Sequence, residues 1–227
     1  EISATLPDGT LKYTAYYPTG KVKVTWGSQT YPTWNVYDEQ NRQTQLHTLK
    51  VAPTLNPATI LANPPAGSEV TTWIYGATTG RLDRKQYADT KGTNYTYTPA
   101  GRLASRVWAR GVTTSYTYNQ GFLTLTDYSD TTPDVAMSYE PLGRQSTVTQ
   151  TNQSQIEYLY DPANLALDLE TVRYDIDRNG SYEFNRVIDR SRDAIQRNTG
   201  FDLKNGVTLE NQAIYGHSLT DGRLATV

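Results

Sequence analysis

Hydrophobic and polar residues alternate along most of this chain, which is the period-two pattern of a β-strand. Tyr95 and Tyr97 share one face of an extended segment, and Leu103 and Val107 share one face of the next. The Thr-Pro-Ala-Gly tetrapeptide that lies between them matches a type I turn followed by a left-handed residue. The pattern therefore predicts a β-hairpin, and no strong helical periodicity competes with it.

The hairpin pattern recurs along the chain at a fixed interval. Tyrosines at equivalent positions lie 21 residues apart. Tyr16 and Tyr37 are separated by this interval, and so are the successive members of the series Tyr97, Tyr118, Tyr139 and Tyr160. A fixed period is typical of a repeat architecture, in which each unit buries its apolar face against its neighbours. Seven tyrosines are predicted to be packing anchors of the repeat: Tyr16, Tyr37, Tyr75, Tyr97, Tyr118, Tyr139 and Tyr160. Ile188–Arg192 and Tyr215–Leu224 resemble degenerate copies of the same unit.

Each predicted corner carries a residue that tolerates a positive φ angle. Glycine adopts this conformation without a steric penalty, and asparagine is its usual substitute. The predicted turn formers are Gly20, Asn41, Gly80, Gly101, Gly121, Gly143, Asn164 and Gly222. The corner that ends at Gly121 is one residue shorter than the others, which predicts a tighter connection there.

These patterns predict an all-β fold, with successive antiparallel hairpins forming one continuous curved or spiralling sheet. About eight hairpins are expected in a single region that spans residues 1–227. A proline-rich insertion at 52–67 interrupts the repeat, and its proline density favours an excursion over the surface. An irregular Asp/Asn/Gly loop at 174–183 forms the second interruption.

The composition narrows the possible functions. The chain carries 18 Tyr and 3 Phe, and a side chain with an apolar ring and a polar tip suits half-buried surfaces. The formal net charge is −2 with no basic stripe, so a nucleic-acid partner is not expected. There is no cysteine, which excludes disulfides and thiolate metal sites, and no apolar run long enough for a membrane span.

The phrase Tyr-x-Tyr-Asp-x-x-Gly-Arg-Leu resembles the YD repeat of bacterial Rhs proteins, insecticidal toxin complex cocoons and teneurins. Asp38 and Asp161 keep the aspartate that names the repeat, and Thr98, Asn119 and Glu140 replace it elsewhere. The resemblance implies a sheet that spirals into a hollow shell around a toxic C-terminal segment. Because the chain lacks the family's Asp-Pro-x-Gly closing segment, we expect it to be a fragment of the repeat region.

The segment from Asp175 to Glu183 is the sharpest local motif. Asp175, Asp177 and Asn179 place oxygen ligands at alternate positions before Gly180, and Glu183 would supply a further one. This spacing matches the start of a calcium loop, although the bidentate Glu of a complete EF-hand is missing. The alternative is an ordinary hairpin turn with a type I′ corner at Asn179-Gly180.

No grouping of residues predicts catalysis. His47 and His217 are far apart in the sequence, and we expect both to be satisfied polar residues of strands or turns. A hydrolase that used paired carboxylates among Asp83, Asp89, Asp127 and Asp130 is disfavoured, because such residues are ordinary hairpin decoration. Four tryptophans have two interpretations, as inter-hairpin packing or as a sugar-stacking platform: Trp26, Trp34, Trp73 and Trp108.

The sequence therefore predicts a non-catalytic structural scaffold without a cofactor, from a secreted or cell-surface bacterial protein. Its expected partners are neighbouring repeats of a longer chain, and a free sheet edge could also pair with a second copy. The alternative function is an adhesin-like module that binds a carbohydrate or a protein.

Overall fold

The computed structural model describes residues 2–49, 64, 66–218 and 222–226. The all-β fold class is confirmed, because all the regular secondary structure among these residues consists of β-strands. The chain divides into two compact units, Glu1–Val112 and Thr113–Val227. The predicted insertion at 52–67 lies outside the described residues, apart from Pro64, Ala66 and Gly67.

The first unit is an antiparallel meander in which each strand pairs with the next one in sequence. Its described strands are β1 (Ile2–Thr5), β2 (Leu11–Tyr16), β3 (Val22–Gly27), β4 (Thr30–Tyr37), β5 (Gln43–Thr48), β6 (Glu69–Tyr75), β7 (Leu82–Gln86), β8 (Gly92–Tyr97) and β9 (Leu103–Val107). β-Branched and aromatic residues are frequent in these segments, in keeping with their preference for pleated, half-buried surfaces.

The second unit repeats this architecture. Consecutive antiparallel strands are β10 (Thr113–Asn119), β11 (Phe122–Tyr128), β12 (Val135–Tyr139), β13 (Gln145–Gln150), β14 (Ser154–Tyr160), β15 (Leu167–Tyr174), β16 (Phe184–Arg192), β17 (Asn198–Asn205) and β18 (Thr208–Ile214). A separate two-stranded sheet follows, formed by β19 (Gly216–His217) and β20 (Leu224–Thr226).

The predicted corners join every second pair of strands, and we call them anchor-side corners. Among the described residues there are four in the first unit, starting with β2–β3, and five in the second, ending with β19–β20. A positive φ angle occurs at seven of the eight predicted turn formers: Gly20, Asn41, Gly80, Gly101, Gly121, Gly143 and Gly222. At the shortest corner, both Gln120 and Gly121 have positive φ angles, which is the geometry of a two-residue type I′ loop.

Two predicted corner positions are corrected. The left-handed residue after Tyr160 is Leu165 (φ 63°) and not Asn164, because this corner is one residue longer and closes from Asp161 to Ala166. In the loop at 174–183, positive φ angles occur at Arg178 and Gly180. A type I′ corner at Asn179-Gly180 would require a positive φ angle at both central residues, so that assignment is wrong.

The most buried apolar side chains lie in the first unit. Ala15, Val24, Trp26 and Trp34 pack together on β2, β3 and β4, and Val24 is fully buried. Tyr13 stacks on Trp26 with ring centroids 5.4 Å apart. Cross-strand aromatic pairs of this kind contribute to the pairing of neighbouring strands.

Candidate functional site

The predicted anchor tyrosines occupy one equivalent place in the sheet. In each of the seven hairpins the strand register shifts immediately before the tyrosine, as it does between Thr96 and Tyr97. A shift of this kind is a β-bulge, which bends the strand and re-aims a side chain. The tyrosine then pairs with a residue at the start of the return strand, so that Tyr97 faces Leu103 and Tyr118 faces Leu123.

The tyrosine hydroxyl links its own hairpin to the preceding one, and we call this hydrogen bond the anchor bond. The acceptor is the backbone carbonyl of the residue that pairs with the preceding anchor. The bonds are Tyr37 to Val22 (3.2 Å), Tyr75 to Gln43 (3.0 Å), Tyr97 to Leu82 (2.8 Å), Tyr139 to Leu123 (2.9 Å) and Tyr160 to Gln145 (2.9 Å). Tyr16, the first predicted anchor, is 44% exposed.

The anchor bond replaces a backbone pair that the sheet has lost. Between β13 and β14 the backbone pairing ends at Thr147–Glu157, before it reaches Gln145. A carbonyl left without a partner is costly where water is excluded. The Tyr160 hydroxyl stands further from its own backbone than an N–H group does, so it reaches across the gap to the Gln145 carbonyl. This requirement explains why the repeat uses tyrosine and not phenylalanine.

In three corners, an acidic side chain forms an ion pair with the arginine four residues later. Arg42 Nε lies 2.8 Å from Asp38 Oδ2. Asp38 Oδ1 also accepts hydrogen bonds from the backbone N–H groups of Gln40 and Arg42 at 3.0 and 2.9 Å. Equivalent pairs at two other corners are Glu140–Arg144 and Asp193–Arg197, each at 2.7 Å. The aspartate that names the repeat therefore holds the arginine in place.

The clamped arginine contacts the next hairpin. The Arg42 guanidinium lies 4.4 Å from the centre of the Tyr75 ring and donates to the Gly80 carbonyl at 2.8 Å. Arg144, in the corner between β12 and β13, makes the same two contacts with its own next hairpin. Its guanidinium lies 4.0 Å from the centre of the Tyr160 ring and donates to the Leu165 carbonyl. A cation over an aromatic face is attracted by the ring quadrupole. Each arginine thus covers the next anchor and touches the next left-handed residue.

These contacts give the corner glycines a second reason to lack a side chain. A Cβ atom on Gly101 would lie 2.2 Å from Arg81 Nη2, and one on Gly80 would lie 3.3 Å from Arg42 Nη1. The arginine of the preceding corner occupies the space that a side chain would need. Positive φ and close approach therefore act together at these positions.

Two anchors are not tyrosines, and neither was predicted from the sequence. Arg192 follows a register shift in β16, and its guanidinium donates to the Leu167 carbonyl at 2.8 Å. His217 follows a register shift in β19, and its Nε2 atom lies 2.7 Å from the Asn198 carbonyl. The last hairpin is therefore anchored by His217 and not by Tyr215. The sequence signal for this anchor was the Gly-Arg-Leu motif at 222–224, because the anchor of a hairpin pairs with the leucine of this motif, and His217 pairs with Leu224.

Phe122 takes the place of the corner arginine in the shortest hairpin. Its ring stacks on the anchor Tyr139 with centroids 4.7 Å apart and an interplanar angle of 27°. A Cβ atom on Gly143 would lie 2.7 Å from Phe122 Cζ. Phe122 thus contacts the next anchor and the next left-handed glycine, as the arginines do elsewhere.

The predicted calcium loop joins β15 to β16. Its three carboxylates, from Asp175, Asp177 and Glu183, have oxygen atoms within 4.8 Å of one another, and Asp175 is buried. Both Asp175 oxygens accept backbone N–H groups, from Asn179 at 3.0 Å and Gly180 at 2.7 Å. Glu183 accepts the Ile176 N–H group at 2.7 Å. Asn179, the fourth predicted ligand, hydrogen-bonds through its amide to Asp177 at 2.9 Å.

The remaining candidate residues have local partners. His47 lies 2.9 Å from Ser68 Oγ and 3.2 Å from Gln45 Oε1, and burial lowers the pKa of its imidazole. Trp26 and Trp34 are buried and present no open ring face to a sugar. Lys85 Nζ lies 5.4 Å from the Trp73 ring, and the Arg106 guanidinium lies 3.9 Å from the Trp108 ring.

Comparison with solved structures supports the fold. The chain is similar to the crystal structure of TcdB2-TccC3-Cdc42, with a TM-score of 0.53 and 12% identity over 98% of this chain. It also matches the structure of a Photorhabdus luminescens Tc holotoxin pore with a TccC3 mutation, at a TM-score of 0.48 and 12% identity over 91% of the chain. The chain spans about 13% of the first of these chains and 12% of the second.

No family model and no curated protein matches the sequence. The likeness therefore establishes a fold shared with a chain of a toxin-complex structure, at low sequence identity. Within the part of the chain that the structure describes, no helix is long and apolar enough to cross a bilayer.

Proposed function

We propose that this chain is a non-catalytic structural scaffold, a wall segment of a YD-repeat shell that encloses a toxic polypeptide. The anchor bond carries the proposal, because it recurs at successive hairpin boundaries and joins each hairpin to its predecessor. Residues that make the repeat recognisable are thus used to hold strands side by side. The shared fold with a TcdB2-TccC3 chain supports the same role.

The side chains between hairpins are engaged with one another, as a wall requires. The hydroxyl of an anchor is committed to the preceding hairpin, and its ring is covered by the arginine of the preceding corner, as in Tyr75 and Tyr160. The proposal includes export from the producing bacterium, to the medium or the cell surface, with neighbouring repeats of a longer chain as the partners.

The experiment is to purify the complete natural polypeptide that contains this chain, image it by electron microscopy and digest it with a protease. The expected result is a closed hollow particle in which a C-terminal segment resists digestion. A double variant, Tyr97→Phe with Tyr160→Phe, should make that segment accessible at a lower temperature than in the wild type. An extended rod, or a C-terminal segment that is cut as fast as a free peptide, would contradict the proposal.

The absence of catalysis is part of this proposal and has its own test. Among the described residues, the contact between His47 and Ser68 is the arrangement that most resembles a base and a nucleophile, and the third partner is the neutral Gln45 amide. A hydrolytic serine is normally supported by a carboxylate that stabilises the imidazolium. We expect no labelling of Ser68 by a fluorophosphonate probe and no turnover of general esterase or glycosidase substrates. Labelling that His47→Ala abolishes would overturn this part of the proposal.

A further inference from the structure

The chain contains two Asn-Gly dipeptides, and both lie at turns of the second unit. Asn179-Gly180 belongs to the loop between β15 and β16, and Asn205-Gly206 joins β17 to β18. At such a dipeptide the backbone nitrogen of glycine can attack the side-chain Cγ atom of asparagine, because glycine has no Cβ atom to shield that nitrogen. Both asparagines are exposed, so access to water does not distinguish the two sites.

Hydrogen bonds restrain the first dipeptide. The Gly180 N–H group donates to the buried Asp175 carboxylate at 2.7 Å, so the nitrogen that would attack is already engaged. The anionic acceptor also opposes loss of the proton from that nitrogen. The Asn179 side chain is held at both of its polar atoms. Its amide nitrogen donates to Asp177 at 2.9 Å, and its oxygen accepts the Ser181 N–H group at 2.8 Å.

The second dipeptide has none of these restraints. Neither the Gly206 N–H group nor the Asn205 side chain makes a hydrogen bond to any residue that the structure describes. The space around Gly206 is open, because a Cβ atom placed on it would meet no atom beyond its chain neighbours within 4 Å. Val207, the other residue of the turn, is 97% exposed. The attacking nitrogen and its target are therefore both free to react.

The backbone at this turn can also move into the geometry that attack requires. Gly206 has a positive φ of 58° and Val207 does not, which matches a two-residue type II′ loop with glycine first. Asn205 pairs with Thr208 at the end of the hairpin, and strand ends of this kind open at little cost. Among the described residues of the second unit, β18 pairs with β17 alone, so no further strand holds the turn closed.

We propose that Asn205 deamidates spontaneously in the folded protein and that Asn179 is protected from this reaction. The Gly206 nitrogen gives its proton to a hydroxide ion and forms a bond to Asn205 Cγ. The bond between Cγ and the side-chain nitrogen breaks, ammonia leaves, and a succinimide ring remains. Water then opens the ring at one of its two carbonyl groups, which leaves aspartate or isoaspartate at position 205. This reactivity does not depend on the scaffold role.

Either product changes the surroundings of Arg186. This residue lies opposite Asn205 in the pairing of β16 with β17, and its guanidinium is bound to Glu210 at 2.7 Å. Aspartate at position 205 would bring a second carboxylate to the guanidinium. Isoaspartate would instead add a methylene group to the backbone and move Thr208 out of register, which weakens the pairing of β17 with β18.

The test compares the two dipeptides within one molecule. The chain is incubated at neutral pH and physiological temperature, in native buffer and in concentrated urea, and digests are analysed by mass spectrometry. In the native chain, Asn205 should convert at least about 10-fold faster than Asn179, the factor that corresponds to one hydrogen bond to a charged group. In urea both should convert at similar rates, because each asparagine follows a cationic residue and the hydrogen bonds are lost.

Two variants test the cause of the difference. Gly206→Ala should slow the conversion of Asn205, because a methyl group then shields the attacking nitrogen. Asp175→Asn should speed the conversion of Asn179 about 10-fold, because the Gly180 N–H group loses its anionic acceptor. The rate at Asn205 should be unchanged in this second variant, which makes it the internal control.

Folding of Asp175→Asn is checked by its thermal unfolding. If that variant fails to fold, Asp177→Asn decides, since it removes an acceptor of the Asn179 amide and should speed conversion there about 3-fold. The proposal is overturned if Asn205 in the native chain converts no faster than Asn179. It is also overturned if the variant that decides leaves the rate at Asn179 at its wild-type value.

Discussion

The hydroxyl of Tyr97 donates a hydrogen bond to the backbone carbonyl of Leu82 at 2.8 Å, across the boundary between two hairpins. Leu82 is the residue that pairs with the preceding anchor, Tyr75, so one bond connects two repeats. Burial raises the pKa of Tyr97 above its usual value near 10, so the hydroxyl stays protonated at neutral pH. It is therefore a permanent donor under physiological conditions.

Tyr97→Phe should lower the free energy of unfolding by about 1 kcal/mol, because the Leu82 carbonyl loses its partner while ring packing is kept. The measurement is urea denaturation followed by fluorescence. Tyr16→Phe is the matched control, since Tyr16 is 44% exposed and its hydroxyl makes no hydrogen bond to a described residue. Equal losses in the two variants would show that the anchor bond does not stabilise the repeat.

Arg192 offers a direct test of what an anchor requires. Arg192→Tyr should retain the wild-type melting temperature within a few degrees, because tyrosine supplies a donor at the position where five other hairpins use one. Arg192→Phe should melt lower, because the Leu167 carbonyl would lose its hydrogen bond. The comparison is made by differential scanning calorimetry. If the tyrosine and phenylalanine variants melt together, the donor is irrelevant and only ring size matters.

The outcome at Arg192 and His217 shows where sequence reasoning succeeds and where it stops. Period and turn chemistry predicted the all-β class and the hairpin corners, because both depend on local backbone preferences. The anchor position is defined by a donor that reaches a carbonyl across a gap, and three kinds of side chain satisfy this requirement. A search for tyrosine therefore finds only some of the anchors. Asn164 was misplaced for a related reason, since one added residue moves the positive φ angle to Leu165.

The corner glycine at Gly101 should be intolerant of a side chain. Gly101→Val forces a β-branched residue to a φ angle of 84°, and its Cβ atom meets Arg81. We expect a loss of about 2 kcal/mol in the free energy of unfolding. Ala100→Val, at the exposed preceding position, is the control and should lose much less. Equal melting temperatures for the two variants would contradict the assigned corner.

The clamp between Glu140 and Arg144 predicts a dependence of stability on pH. The hydrogen bond from the Arg144 side chain holds the pKa of Glu140 below its usual value. A depressed pKa means that the carboxylate stabilises the fold above its unfolded value of about 4.3. That contribution is lost as the pH falls through the lower, folded-state pKa.

Glu140→Gln should therefore melt below the wild type at pH 7, and the difference should shrink as the pH falls below about 4.3, the unfolded value. Thermal unfolding is measured across this range. Glu39→Gln, at an exposed position of another corner, serves as the control and should give a smaller difference at every pH. A gap between Glu140→Gln and the wild type that is constant from pH 7 to pH 3 would contradict the clamp.

The loop from Asp175 to Glu183 is either a calcium site or a turn that its own hydrogen bonds hold closed without an ion. Both oxygens of the buried Asp175 carboxylate already accept backbone N–H groups, from Asn179 and Gly180. We expect Asp175→Asn to lower the free energy of unfolding by about 1–3 kcal/mol, because an amide cannot accept both bonds. Asp177→Asn, at an exposed position, should lower it less.

The calcium prediction is tested with the same proteins, by comparing melting temperatures in excess Ca²⁺ and in EDTA. Since the Asp175 oxygens and one Glu183 oxygen already accept backbone hydrogen bonds, we expect the wild type to melt at the same temperature in both. A melting temperature that rises with Ca²⁺ in the wild type but not in Asp177→Asn would instead establish the calcium loop. In that case the ion would replace some of these hydrogen bonds, as oxygen ligands must turn toward the cation.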